Sequence, residues 1–346
     1  MPKQNIDTNS PKTLKKIENK LEAFSSAAGK TNQLSGSLIK CEVQLEKGEW
    51  VSPPACSIFH IDSDGVLPSI QFEIKTSEVG PFNWEWEIKW NVLACPQSKG
   101  KKRFKPKSAK LYSKKGTFVS EEKSWTADFG NEVIGGELTV KVKAGTTNFV
   151  RKTTIHGLEP GLSRIDAAIA SVPVEFSASA SLAKKIFDQE SKNHHFYSDG
   201  EPLVSFDNGY GLGQATNPIP TYEQVWNWKK HIKYILETVI PEKRKLAKKY
   251  LDTHGNYTAE NLDTETLVYY NGANAHYLIW DAAGKAWVEN TGVLCDPEQS
   301  NKGWKLTLDV NNEKTLEQLR KGEGGKPIYT GKCYAEHINH SNKAKK

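Results

Sequence analysis

The sequence predicts an α+β, multidomain fold: an antiparallel β-sandwich followed by a mainly α domain that carries a small β-hairpin. Three observations point there. Apolar residues alternate with a period of two from about Ser37 to Thr154. The segment Gly157-Leu-Glu-Pro-Gly161 then interrupts the pattern. Beyond it, apolar residues recur at helical spacing. A length of 346 residues favours more than one domain.

Residues 1–34 are polar with one short amphipathic piece, Leu14–Phe24, and are expected to form an N-terminal arm. Residues 35–158 form the expected sandwich. Its clearest strand is Trp84-Glu-Trp-Glu-Ile-Lys-Trp90, which puts Trp84, Trp86, Ile88 and Trp90 on one face. That stripe reads as the core face of a sheet in preference to a sugar-stacking surface. Ile70–Lys75, Glu137–Lys143 and Phe149–Ile155 alternate in the same way, and Ser63-Asp-Gly65, Gly80-Pro81 and Gly135-Gly136 supply turns. Short strands at this spacing imply an immunoglobulin-like sandwich.

Residues 162–340 form the expected α domain. Helices are predicted over Ser163–Ser171 and Ser179–Gln189, and from Thr221, which makes a capping box with Gln224. Pro241 is expected to end or kink that helix. Further helices are expected at Glu242–Leu251, Leu262–Asn274 and Lys314–Lys321, with a hairpin at 277–288 and a strand at Lys305–Val310. Residues 341–346 form a basic tail.

No apolar run approaches the ~20 residues that span a bilayer, and the N-terminus lacks the apolar core of a secretory signal. The expectation is a protein made in the cytoplasm that acts on the cell wall or in the periplasm after non-classical delivery. The net charge of +6 suits an anionic polymer; no nucleic-acid motif accompanies it. Five widely spaced cysteines without a CxxC read as free thiols, with Cys41–Cys56 or Cys56–Cys95 as alternative bridges. Cys333, His337 and His340 have metal-like spacing but no fourth ligand, so no metal and no cofactor are expected.

The chemistry concentrates between Ile186 and Thr216. Glu190 follows Ile186 by four residues and Phe187 by three, so it shares their apolar helix face. A carboxyl held against apolar side chains is harder to ionise, which suits a general acid near neutral pH. The loop after it supplies Asp207, the best-placed second carboxylate, and then Gly209-Tyr210-Gly211-Leu212-Gly213-Gln214. These glycines let backbone and Gln214 approach a polar ligand closely.

Glu190-Ser191, Gly211-Leu-Gly-Gln214-Ala-Thr216 and Tyr269-Tyr270-Asn271-Gly272 occur in the order of three signatures of the lysozyme-like lytic transglycosylases. The chain resembles that family over roughly residues 165–290. The resemblance implies a lysozyme-like α domain and cleavage of the β-1,4 bond between N-acetylmuramic acid and N-acetylglucosamine. Glu190 would be the general acid and base. Ser191, Asp207, Tyr210, Gln214, Tyr270 and Asn271 would contact substrate, with Tyr270 orienting Glu190 or the sugar. Gly213 stands where the family has Met, and Tyr269 where it has Ala. The expected partners are peptidoglycan glycan strands, an immunity protein and, from the absent signal, the unpaired cysteines and the two-domain architecture, a phage or contractile secretion apparatus docked through the N-terminal domain. A hydrolytic muramidase and a non-catalytic wall-binding or tail structural protein are the alternatives.

Overall fold

The computed structural model describes residues 47–94, 102–105 and 110–343. The expected N-terminal arm, Cys41, Cys95, most of the Lys99–Lys110 cluster and residues 344–346 of the basic tail lie outside them. Cys41–Lys346 forms one compact unit.

The first part of the chain is built of β1 (Trp50–Ser52), β2 (Ile58–Ile61), β3 (Gln71–Ile74), β4 (Phe82–Trp90), β5 (Tyr112–Ser120), β6 (Ser124–Thr126), β7 (Gly136–Ala144) and β8 (Thr147–Gly157). A five-stranded sheet has the order β2-β8-β7-β4-β5, and a three-stranded sheet the order β1-β3-β6. In β4 the residues alternate buried and outward-facing, as the period of two requires. Trp84 and Trp86 face the small sheet, where both pack on Trp125 of β6. Trp90, on the same face, instead meets Trp226 and Tyr210 edge-on. One face of one strand therefore packs on the small sheet at one end and on the helical part at the other. A large buried core includes residues from Ile61 to Ile338, and a small separate cluster gathers Val293, Cys295 and Cys333.

After Gly161 come α1 (Leu162–Ala170), α2 (Ser177–Ser191), α3 (Tyr222–Trp226) and α4 (Trp228–Tyr234). A π-helical turn, Ile235–Val239, leads into α5 (Ile240–Leu251), and α6 (Ala259–Tyr270) follows. Thr221 and Gln224 form the expected capping box, but the helix stops at Asn227, whose extended backbone closes α3 and whose side chain caps α4. Pro241 neither ends the helix nor separates two helices. The N–H of Ile240 donates to the carbonyl of Ile235, five residues back, and this widened turn accommodates a residue with no N–H to give.

The rest of the chain is β9 (Leu278–Asp281), β10 (Ala286–Glu289), β11 (Val293–Cys295), β12 (Lys302–Lys305), α7 (Leu316–Arg320), β13 (Ile328–Tyr329) and α8 (Gly331–Lys343). β9 and β10 pair as a hairpin, and β11-β12-β13 make a further antiparallel sheet.

This corrects the expected fold class. The chain is mixed, with 29% helix and 27% strand, and the described residues contain no clear mainly α lysozyme-like domain. Helices run from Leu162 to Tyr270, and from Leu278 onward short strands are interspersed with α7 and α8. Nor is the larger sheet purely antiparallel, because β2 joins β8 in parallel. An alternating pattern specifies a strand's buried face but not the direction of its neighbour. The free-thiol expectation also fails: Cys295 and Cys333 are joined, and Cys56 is disulfide-bonded as well. The fold sets the Cα atoms of Cys295 and Cys333 5.2 Å apart across 38 residues of sequence, a proximity that spacing does not encode.

Candidate functional site

Glu190 sits in the last turn of α2. Leu182, Ala183, Ile186 and Phe187 bury one face of that helix. Lys192 and Asn193 then adopt left-handed backbone and turn the chain back, with both N–H groups donating to the Phe187 carbonyl. The Glu190 carboxyl is densely surrounded, yet the residue keeps part of its surface open. Its Oε1 accepts a hydrogen bond of 2.6 Å from the Tyr334 hydroxyl, which α8 brings in from 144 residues away.

Burial pushes the Glu190 carboxyl up to about 7. The Tyr334 hydrogen bond opposes this, the charge of Asp207 adds to it, and Lys192 opposes it weakly. A carboxyl that holds its proton near neutral pH, beside an opening, can protonate a leaving group and then take a proton back as carboxylate.

The other expected site residues divide. Asp207 is exposed at a tight turn, where its Oδ1 accepts from the Ser205 hydroxyl at 2.5 Å, and its charge reaches Glu190. Tyr270, at the end of α6, also lies in the field of Glu190. Its hydroxyl, however, donates to the Gly213 carbonyl at 2.5 Å, so Tyr334 takes the place expected for Tyr270 as the partner of the carboxyl. Ser191 turns its hydroxyl back to the Phe187 carbonyl. Gln214, at φ 46°, donates its amide to the Gly211 carbonyl at 2.7 Å and closes its own turn. Asn271 ends α6 and remains partly open.

Tyr210 corrects the sequence expectation. It is 1% exposed and packs edge-on against Trp90 and Tyr112, so it belongs to the core and cannot meet a substrate. The glycines on either side of Leu212 have a different use from the one expected. A side chain at Gly211 would lie 2.7 Å from the His195 ring, and one at Gly213 would lie 2.8 Å from Ile235 and 2.9 Å from the Tyr270 hydroxyl. The Gly213 position, where the resembled family has Met, is filled from outside by those two residues.

Sequence reading missed Tyr334, which no local pattern distinguishes. His195, close by in sequence, is fully buried. Cys333 is committed to its disulfide and offers no thiolate to a metal. No cluster of three or more potential metal ligands occurs among the described residues. Grooves of about 710 and 770 Å³ lie elsewhere and do not include Glu190, so the site is distinguished by its chemistry and not by its volume. Among the described residues, no helix is long and apolar enough to cross a membrane.

The chain matches no protein-family model and no curated protein.

Proposed function

We propose that the protein cleaves the glycan strands of peptidoglycan as a lytic transglycosylase, with Glu190 as general acid and base. The observation that carries this reading is the Glu190 carboxyl, raised to about 7 by burial at a partly open site and held by Tyr334. The ordered motifs around Glu190, Gln214 and Tyr270 add support, as does the basic balance of the chain.

In this mechanism Glu190 gives its proton to the glycosidic oxygen as the bond to muramyl C1 breaks. The leaving sugar departs as an alcohol. The substrate's acetamido group stabilises the cationic carbon. The Glu190 carboxylate then takes the proton of the muramyl 6-hydroxyl while O6 bonds to C1, closing a 1,6-anhydro ring. The Tyr334 hydroxyl, already a donor to Oε1, steadies the carboxylate between the two transfers.

Asp207 favours a second reading, hydrolysis. It is solvent-exposed and near enough to Glu190 for its charge to be felt there, a placement suited to directing a water molecule. Mass spectrometry of digested wall separates the two. Anhydro-muramyl ends support transglycosylation, and reducing muramyl ends reject it in favour of hydrolysis. The same digest with Glu190→Gln should release nothing above background. If that variant clears wall as fast as the parent, Glu190 is not the acid and the enzymatic reading fails.

A further inference from the structure

Beneath the Gly211-Leu-Gly213 turn lie two imidazoles, His195 and His231, both 0% exposed, with ring centroids 5.0 Å apart. Their hydrogen bonds fix their tautomers. His231 Nδ1 lies 3.1 Å from the Gln224 carbonyl and His195 Nε2 lies 2.8 Å from the Val225 carbonyl, so each of these nitrogens carries a proton. Both carbonyls belong to the last turn of α3, which ends at Asn227 and leaves them without helical partners. With its proton on Nδ1, His231 has a lone pair on Nε2, which accepts the N–H of Gly213 at 3.3 Å.

The next peptide group, across the Gly213 Cα, is held as well. Its carbonyl accepts the Tyr270 hydroxyl at 2.5 Å, and Tyr270 lies in the electrostatic field of Glu190. Ile235, from the π-helical turn, lies so close to the Gly213 Cα that a side chain there would come within 2.8 Å of it. Hydrogen bonds thus run from the end of α3 through His231 and the backbone of Gly213 to Tyr270, which lies in the field of the acid.

We propose that His231 is a positioning residue for Glu190: it holds Gly213, whose carbonyl fixes the Tyr270 hydroxyl, so that Tyr270 keeps its place near the carboxyl and limits the access of water to it. This rests on the reading of Glu190 as the acid. The role requires a neutral imidazole with a free Nε2. Burial suits this by lowering the His231 basicity to about 4. Among the described residues, the rings of His195 and Tyr234 pack near it, with the Tyr234 centroid 6.5 Å away. Tyr334 from α8 donates to the Glu190 carboxyl, the charges of Asp207 in the 205–209 turn and Lys192 at its own helix end act on it, and it acts in turn on Tyr270 of α6.

The test uses the full chain and two variants. His231→Leu removes both hydrogen bonds, whereas His231→Gln keeps an acceptor near the position of Nε2. Two readouts are taken: wall-cleavage kinetics, and the Glu190 titration followed by carbon NMR of its carboxyl and assigned by difference with Glu190→Gln. For His231→Leu, kcat should fall about tenfold or more with KM nearly unchanged, because the acid is misplaced while sugar contacts remain. Its Glu190 midpoint should fall by about half a pH unit or more as water enters. His231→Gln should recover most of both. The proposal is overturned if folded His231→Leu keeps the parent's Glu190 midpoint, or if both variants lose melting temperature alike and leave that midpoint unmoved. If the parent cleaves no wall, the proposed function fails by itself, and the titration still decides whether His231 acts on Glu190.

Discussion

Glu190 and Tyr334 form a pair whose two members influence acidity in opposite directions. Burial favours the neutral acid, while the hydroxyl of Tyr334 favours the carboxylate. Tyr334→Phe should therefore raise the Glu190 value further, and the alkaline limb of wall cleavage should move up by about one pH unit, equivalent to ~1.4 kcal/mol. Its kcat should also fall, because the carboxyl loses its anchor. An alkaline limb that stays in place or moves down would show that Tyr334 does not act on the ionised acid. Stability supplies a second check. The folded-state value of about 7 lies above the ordinary 4.5, so the native state takes up a proton between them. That contribution to stability is fully present below about pH 4.5 and is lost as the pH rises through 7. Glu190→Gln should thus unfold at a higher temperature than the parent at pH 8, by an amount on the order of 3 kcal/mol in stability, with little difference at pH 4. Paired thermal melts measure this. Glu190 was legible in the sequence because it continues an apolar helix face, and Tyr270 was legible from its motif. Tyr334 was not, since 144 residues of chain separate it from its partner.

Among the elements, α8 carries the most consequence for the site. Its first turn is tied to the end of β11 by Cys295–Cys333, and the next residue is Tyr334. Releasing that tie returns to the unfolded chain the entropy of a 38-residue closure, worth about 4 kcal/mol. Replacing both cysteines by serine should lower denaturant stability by that order and weaken wall cleavage by loosening the seat of Tyr334. Unchanged stability with full activity would make the bridge incidental. The helix containing Pro241 shows the limit of local rules. Proline punctuates a sequence through its missing N–H and the clash of its ring with the preceding turn. Here a π-helical turn absorbs both, and Ile235 of that turn supports Gly213. The break at Asn227 was equally hidden, although the residue is a good cap, because two histidine rings stabilise the helix end it creates.

At the scale of the molecule the two halves share a large core, and Trp90 is one of the places where they join. It lies on the same strand face as Trp84 and Trp86 but packs on Trp226 and Tyr210. Trp90→Ala should cost about 3–5 kcal/mol. In both parent and variant, strand and helix signals should be lost in one coincident transition. An earlier, separate loss of the strand signal would show that the halves unfold independently. By itself, the sequence determined which face of β4 is buried, where Thr221 starts a helix, and that Glu190 sits on an apolar helix side; all three follow from side-chain period and capping chemistry within a few residues. Only the tertiary structure decided the parallel pairing of β2 with β8, the mixed character of the second half and the Cys295–Cys333 bridge. It also decided the burial of Tyr210 and the partnership of Tyr334 with Glu190. Each depends on which distant segments come together, and short strands such as β11 and β13, of three and two residues, span too little sequence to show a period. Their place is set by the core they pack on.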